Sequence, residues 1–403
     1  YLFTAGTARG GTGIYTNILN THNSVKIAQD PFLAFWKSYR DNVVLTSQIE
    51  QFTPGCPLGE YYFIENELLI MDSIMESNLN IPFDFKGDIE KLRDDIGNRI
   101  YLSSGTLKDK LSYLKGNTYK ELLDSALNII DLGLSGPSSK WLGFNENWCI
   151  EFFNTLSKSY PDSKYIIYIR DVRASIASHL KLFKKNPDFK EAIALVLSFA
   201  RGWRKHIAYA IKYSSLSCFE NRLFCIRYED LINNPEIQVQ NLCRFLNINY
   251  SEYMINTENF VSTDGGKWFP NSNHEDTPSS GIYKDSLYKW EKSLDSSIIE
   301  LIEYVCGPEL DLLGYKLKNN IGKEFPSKAF QFHFKDNLEC LGWRTDSKDP
   351  IREFAYECLR RNLLFSKIKD EEVIRSCFLF PEVYDQLLNK KLSINTFSNF
   401  DLI

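Results

Sequence analysis

The sequence lacks the patterns of a metal-binding or disulfide-stabilised protein. Its nine cysteines are odd in number and include no C-x-x-C pair, and none of its five histidines stands at metal-ligand spacing. We therefore expect no zinc site, and the scattered cysteines favour a reducing compartment. There is also no apolar run of membrane-spanning length. A net charge of -5 argues against a general nucleic-acid or anionic-membrane binder.

These absences predict a cytoplasmic protein without nucleic-acid partners or a membrane span. Tyr1 is not an initiator residue, so this expectation leaves a lost leader open. The composition is that of a globular chain, since 43% of its 403 residues are hydrophobic and 25% are charged.

Strands alternate with helices along most of the chain. This alternation predicts an α/β fold, a three-layer α/β/α arrangement around a central parallel sheet. Ligands of such sheets bind beyond the carboxyl ends of the strands. The predicted strands are residues 1–6, 24–28, 141–144, 164–171 and 223–228.

The sequence divides into two predicted parts. Residues 1–318 form the main domain, and residues 319–403 read as a small C-terminal helical extension whose chemistry the sequence does not indicate. A helical insertion over residues 45–135 separates the second and third strands. Aromatic residues from 32 to 62 and the loop from 262 to 283 are predicted to build a substrate pocket with it.

The start of the chain has the pattern of a P-loop-like phosphate cradle. A strand leads into a glycine-rich turn and then a helix with a threonine in its first turn. Glycines let the backbone approach an anion, and the N–H groups at the helix start attract it. The predicted cradle residues are Gly6, Thr7, Ala8, Arg9, Gly10, Gly11, Thr12 and Gly13.

The loop departs from that of a nucleotide triphosphatase at one position. Gly6 and Gly11 match the glycines of G-x-x-x-x-G-K-S/T, but Thr12 stands where the lysine belongs. That lysine neutralises the β- and γ-phosphates, so a P-loop kinase or NTPase is a minor alternative. Taken alone, the loop is also compatible with an ordinary tight turn.

Two segments of this sequence resemble segments of the sulfotransferases that use 3′-phosphoadenosine 5′-phosphosulfate (PAPS). The loop is similar to the family's 5′-phosphosulfate loop, above all in bacterial members and tyrosylprotein sulfotransferases. A second segment has Arg170 at a strand end and Ser178 eight residues later. In the family, residues at these positions hold the 3′-phosphate. The chemistry agrees, because arginine forms a bidentate charged pair with phosphate.

Two later segments extend the resemblance over roughly residues 1 to 310. Tyr228 begins a Y-E-D-L sequence after a strand, and Lys289 lies in a segment similar to the one that closes over the nucleotide. The resemblance implies PAPS as co-substrate, 3′,5′-adenosine diphosphate (PAP) as product and no metal. The implied acceptor is a small molecule, glycan or other compound with a hydroxyl group, or less often an amine.

Sulfuryl transfer requires charge neutralisation and a base for the acceptor proton. Arg9 and Thr12 are the predicted charge-handling side chains. Asp30 lies 21 residues after Arg9, which is the position of the catalytic glutamate in tyrosylprotein sulfotransferases. Its alternative role is the N-cap of a helix with Pro31 at its first position. Glu146 is the second candidate for the base.

One position departs from the family pattern. Where many relatives carry a lysine that contacts the bridging oxygen, this sequence has Asn145. Because asparagine carries no charge, we expect Lys140 or Arg9 to stabilise the leaving group instead. It also leaves open a non-catalytic scaffold that binds PAP or PAPS.

Overall fold

The protein contains a parallel β-sheet, which is five-stranded in the part of the chain described by the computed structural model. That part comprises residues 1–50, 52, 65–83, 89–100, 103–136, 139–183, 193–261, 268, 282, 287–319, 350–390 and 392. The strands are β1 Leu2–Gly6, β2 Val25–Gln29, β3 Trp141–Asn145, β4 Lys164–Ile169 and β5 Leu223–Arg227. Each strand agrees with its prediction to within a few residues.

The strand order is β2-β3-β1-β4-β5, and every neighbouring pair is parallel. All carboxyl ends therefore meet at one edge of the sheet. At this edge Gly6, Asp30, Glu146, Arg170 and Tyr228 end the strands or directly follow them.

Helices cover both faces of the sheet, which confirms the predicted α/β fold. One face is covered by helices that contribute buried side chains such as Trp36, Leu123, Trp203 and Ile302. The other face is covered by helices that include the one carrying Tyr15. The helices of the described residues are α1 Thr12–Asn20, α2 Leu33–Thr46, α3 Glu65–Glu76, α4 Ile89–Ile100, α5 Tyr119–Gly133, α6 Phe153–Ser159, α7 Val172–Phe183, α8 Ile193–Ser215, α9 Tyr228–Asn233, α10 Pro235–Leu246, α11 Trp290–Ser293, α12 Ser296–Leu312, α13 Pro350–Ser366, α14 Glu371–Arg375 and α15 Pro381–Asn389. None of these helices is long and apolar enough to cross a membrane.

The described residues between β2 and β3 include the helices α2 to α5. Ser104 joins this insertion to the sheet edge. Its Oγ accepts from the Gln29 backbone N–H at 3.0 Å and donates to the Gln29 carbonyl at 2.8 Å. The end of α4 is thereby fixed beside the residue that precedes Asp30. Most of the predicted pocket loop from 262 to 283 lies outside the described residues.

The C-terminal helices pack on α8 and α12. Glu357 of α13 is buried between two arginines of α8, accepting from Arg201 Nε at 2.8 Å and Arg204 Nη1 at 2.8 Å. Burial alone raises a carboxyl pKa, but Arg204 and Arg201 lower the pKa of Glu357 to about 2. The division of the chain at residues 318 and 319 stays a prediction.

Some local predictions were wrong. Asp30 is not a helix N-cap, because α2 begins at Leu33 after Phe32, and Asp30 has a left-handed φ of 45°. The sequence from Cys149 to Ser159 has the pattern of a single helix, but the chain forms a 3₁₀ helix, Asn147–Phe152, followed by α6.

Candidate active site

The glycine-rich loop forms a tight turn that opens onto the start of α1. The Gly10 N–H donates to the Thr7 carbonyl at 2.8 Å, and Gly11 adopts a φ of 87° immediately before the helix. No acidic side chain lies in the first turn of α1. The backbone N–H groups from Thr12 onward therefore present an uncompensated positive helix end, which suits an anion.

Tyr228 joins this loop to the other side of the sheet edge. Its ring packs so closely on Gly11 that a Cβ on the glycine would lie 2.3 Å from Tyr228 Cδ2. The guanidinium carbon of Arg170 stands over the same ring, 4.4 Å from its centroid. The ring is thus shared by the loop and by the residue after β4.

Arg9, Arg170 and Ser178 form a chain of hydrogen bonds. Arg170 Nη1 donates to the Arg9 carbonyl at 2.9 Å, and Arg9 Nε donates to Ser178 Oγ at 2.9 Å. Burial, and next the positive charge of Arg170, lower the pKa of Arg9. Two neighbouring guanidinium groups repel each other, so an anion beside them would be stabilised.

The backbone that carries Arg170 is held from two directions. Trp203 Nε1 of α8 donates to the Arg170 carbonyl at 2.7 Å. The next residue, Asp171, donates its N–H to Glu229 Oε1 at 3.0 Å. Glu229, the second residue of the Y-E-D-L segment, therefore orients the turn that presents Arg170.

Lys289 lies at the start of a short helix, α11, that packs on α7. It is exposed and directly precedes α11. The next residue, Trp290, packs on Arg173, whose guanidinium carbon lies 4.2 Å from the ring centroid. Lys289 therefore directly precedes the residue through which α11 packs on α7.

The two candidate bases follow adjacent strands. Asp30 follows β2, and Glu146 follows β3. Their backbones are tied to the sheet, since the Asp30 N–H donates to the Asn145 carbonyl at 2.8 Å and the Glu146 N–H to the Thr4 carbonyl at 3.0 Å. Asp30 keeps some solvent exposure, whereas Glu146 is buried.

The electrostatics separates the two carboxyl groups. Burial, and next the charge of Asp30, raise the pKa of Glu146 to about 8. Burial also raises the pKa of Asp30, and the hydrogen bond from Gln29, the charge of Arg99 and the hydrogen bond from Asn145 offset this effect only in part. The surroundings therefore favour a proton on Glu146 over one on Asp30, whose two carboxylate oxygens face amide donors.

The structure includes functional candidates that the sequence analysis missed. Gln29 contacts the Asp30 carboxylate directly. Arg99 of α4 is exposed and acts electrostatically on both carboxyl groups. Gln29 could have been found from its place at a strand end, but no local pattern distinguishes Arg99.

The expectation for Lys140 was wrong. This residue precedes β3 and lies at the opposite edge of the sheet, where its Nζ donates to the Asn247 carbonyl at 2.6 Å. Asn145 does lie at the candidate site, with its side chain between Thr4 and Asp30.

The donor set of the loop and of the end of β4 suits an anionic ligand. Within the described residues, the buried atoms Thr7 Oγ1 and Arg170 Nε have no hydrogen-bond partner. Both belong to the cluster formed by the loop and the end of β4. Among the same residues, no group of His, Cys, Asp and Glu side chains is arranged to hold a metal ion.

Comparisons with known proteins find sulfotransferases similar to this chain. A model of the Sulfotransferase family matches residues 128–252. Protein-tyrosine sulfotransferase 1 of Danio rerio is 24% identical over 214 residues, which cover 52% of this chain and 58% of that protein. Protein-tyrosine sulfotransferase 2 of Gallus gallus is 22% identical over 213 residues, covering 52% of this chain and 56% of that protein. These matches thus span little more than half the length of either relative.

Among solved structures, the chain is similar to a sulfotransferase domain from the curacin biosynthetic pathway. The TM-score is 0.42 at 16% identity, covering 78% of this chain and 98% of the domain. The resemblance predicted from the four sequence segments is confirmed by the family model and the curated relatives. The chain is thus similar to sulfotransferases over part of its length.

Proposed function

We propose that the protein transfers a sulfuryl group from PAPS to a hydroxyl group of an acceptor, or less often to an amine. The observation that carries this proposal is the cluster of Arg9, Arg170 and Ser178 beside the glycine-rich loop. The cluster lies at the same sheet edge as Asp30. One edge thus combines two anion-binding regions with a carboxylate.

The loop and the end of β4 would hold the two anionic ends of the nucleotide. The N–H groups at the start of α1, with Thr7 and Thr12, suit the 5′-phosphosulfate. Arg170 and Ser178 supply a charged and a neutral donor for the 3′-phosphate. Arg9 lies between the two regions, since its carbonyl accepts from Arg170 and its side chain contacts Ser178.

Asp30 is the proposed base. Bound PAPS supplies the sulfuryl group; the acceptor oxygen forms a bond to sulfur as the bond from sulfur to the 5′-phosphate oxygen breaks. Asp30 takes the acceptor proton, while the N–H groups of the loop and Arg9 neutralise the oxygen that leaves. Glu146 keeps its own proton and leaves Asp30 charged.

The test is transfer of radiolabelled sulfate from PAPS to a panel of sugars, phenols and lipid-like alcohols. We expect a labelled product with the wild type and with Asp162→Asn, which removes an exposed carboxylate in the turn before β4. PAP binding without transfer to any acceptor would favour a scaffold instead. Magnesium-dependent ATP turnover would favour an NTPase.

A further inference from the structure

We propose that Gln29 and Asn145 are positioning residues that clamp the Asp30 carboxylate between two amide groups. The inference rests on the proposed function, in which Asp30 is the base. It is carried by the contacts of the two amides, each of which faces a different oxygen of the same carboxylate. Each amide is in turn bonded to a buried threonine.

Gln29 approaches Asp30 from the side of the loop. Its Nε2 donates to Asp30 Oδ2 at 2.8 Å and reaches Thr12 Oγ1 at 3.5 Å. Thr16 Oγ1, buried in α1, donates to Gln29 Oε1 at 2.8 Å. A reversed amide would place two oxygens 2.8 Å apart, so the charged form of Asp30 selects the orientation in which N–H faces the carboxylate.

Asn145 approaches the carboxylate from β3. Its Oδ1 accepts from Thr4 Oγ1 at 3.1 Å, and its Nδ2 faces Asp30 Oδ1 at 3.4 Å. Thr4 and Asn145 are both fully buried. Their mutual hydrogen bond sets the amide orientation, and the Asn145 carbonyl also accepts the Asp30 backbone N–H.

The clamp has two consequences for a base. Hydrogen bonds to the charged form favour ionisation and so oppose the effect of burial on the pKa of Asp30. They also fix its direction, and orientation is a large part of catalytic efficiency. The charged groups that face Asp30 from neighbouring elements are Glu146, after β3, and Arg99 of α4. Neither of these charged groups takes the place of the amides, each of which presents a neutral N–H group to one carboxylate oxygen.

The clamp gives Asn145 a role that differs from that of a lysine. Its amide is directed toward the base, so its replacement affects proton removal. Gln29 also bridges Asp30 to Thr12 and Thr16 of α1. The base is therefore coupled to the helix that starts at the phosphate loop.

The test uses isosteric variants that lack the amide N–H groups, Gln29→Met and Asn145→Leu. We expect each to lower sulfuryl turnover about 10- to 100-fold and to move the acid limb of the pH–rate profile to higher pH. PAP affinity should change less than about threefold, because both amides face Asp30 and Gln29 reaches the predicted nucleotide site only through a 3.5 Å contact with Thr12. The matched control is Gln240→Met, which removes an amide that donates to Glu236 on α10 at 3.1 Å.

A second measurement does not depend on turnover. Difference infrared spectroscopy, with Asp30→Asn as the reference, follows the protonation of Asp30 in the ligand-free protein. Both clamp variants should raise the pKa of Asp30, and Thr16→Val should do so to a smaller degree, since it frees the Gln29 amide to rotate. An unchanged pKa in folded Gln29→Met and Thr16→Val would overturn the clamp. Failure of the wild type to bind PAP would instead refute the proposed function.

Discussion

Replacing Gly11 by alanine tests the close packing at the phosphate loop. Gly11 has a φ of 87°, which costs an alanine about 1–2 kcal/mol. The new methyl group would also lie 2.3 Å from Tyr228 Cδ2. Overpacking of this kind costs about 1–3 kcal/mol more. The expected loss in the free energy of unfolding is therefore about 2–5 kcal/mol, measured by urea denaturation.

Gly314→Ala is the matched control. Gly314 has a similar φ of 78°, but the nearest atom to its added Cβ, Arg227 Nη1, is 3.7 Å away. We expect only the conformational cost of about 1–2 kcal/mol there. In a Tyr228→Ala background, Gly11→Ala should fall to the same value, because the clash is gone. Equal costs for Gly11→Ala and Gly314→Ala in the wild-type background would refute this reasoning.

Three further changes give distinct outcomes. Asp30→Asn should lower turnover about 10²–10⁴-fold with PAP affinity retained; unchanged turnover would shift the role to Glu146. Because the pKa of Glu146 is raised from 4.5 to about 8, wild-type stability should fall as the pH rises through that window. Glu146→Gln should remove this loss, which amounts to up to about 5 kcal/mol in the free energy of unfolding. Urea denaturation at several pH values between 4.5 and about 8 measures it. Glu357→Gln should destabilise the protein by about 3–5 kcal/mol in urea, since it leaves Arg201 and Arg204 buried without a countercharge.

The parts of the structure that the sequence predicted well are those with strong local patterns. All the strands of the sheet could be predicted, because apolar runs flanked by turns specify buried parallel strands. The sequence patterns from Tyr119 to Leu132 and from Val172 to Phe183 likewise predict helices, and they correspond to α5 and α7. The position of Arg170 at a carboxyl strand end followed directly from these assignments.

The contacts around Asp30 could not be predicted in the same way. Asp30 and Pro31 have the local pattern of a helix start, yet α2 begins only at Leu33. The structure instead places Asp30 between Gln29 and Asn145, and Asn145 is 115 residues away in the chain. Arg99 belongs to α4, and the packing of this helix brings its charge near the two carboxyl groups. Such contacts depend on tertiary packing, which no local window contains.

The error for Lys140 has a simple geometric cause. Lys140 directly precedes β3, so it lies at the amino edge of the sheet. The candidate site is at the carboxyl edge, beyond the reach of its side chain. The direction of the strand alone would have excluded this residue from leaving-group stabilisation.

The central claim is that Arg170 binds the 3′-phosphate of an adenine nucleotide, and calorimetric titration with PAP tests it most directly. We expect saturable binding by the wild type and a loss of about 2–3 kcal/mol in Arg170→Ala. Arg93→Ala, which removes an arginine of α4 bonded to the Leu114 carbonyl, should bind like the wild type. Absence of binding by the wild type, or equal binding by Arg170→Ala, would contradict the account.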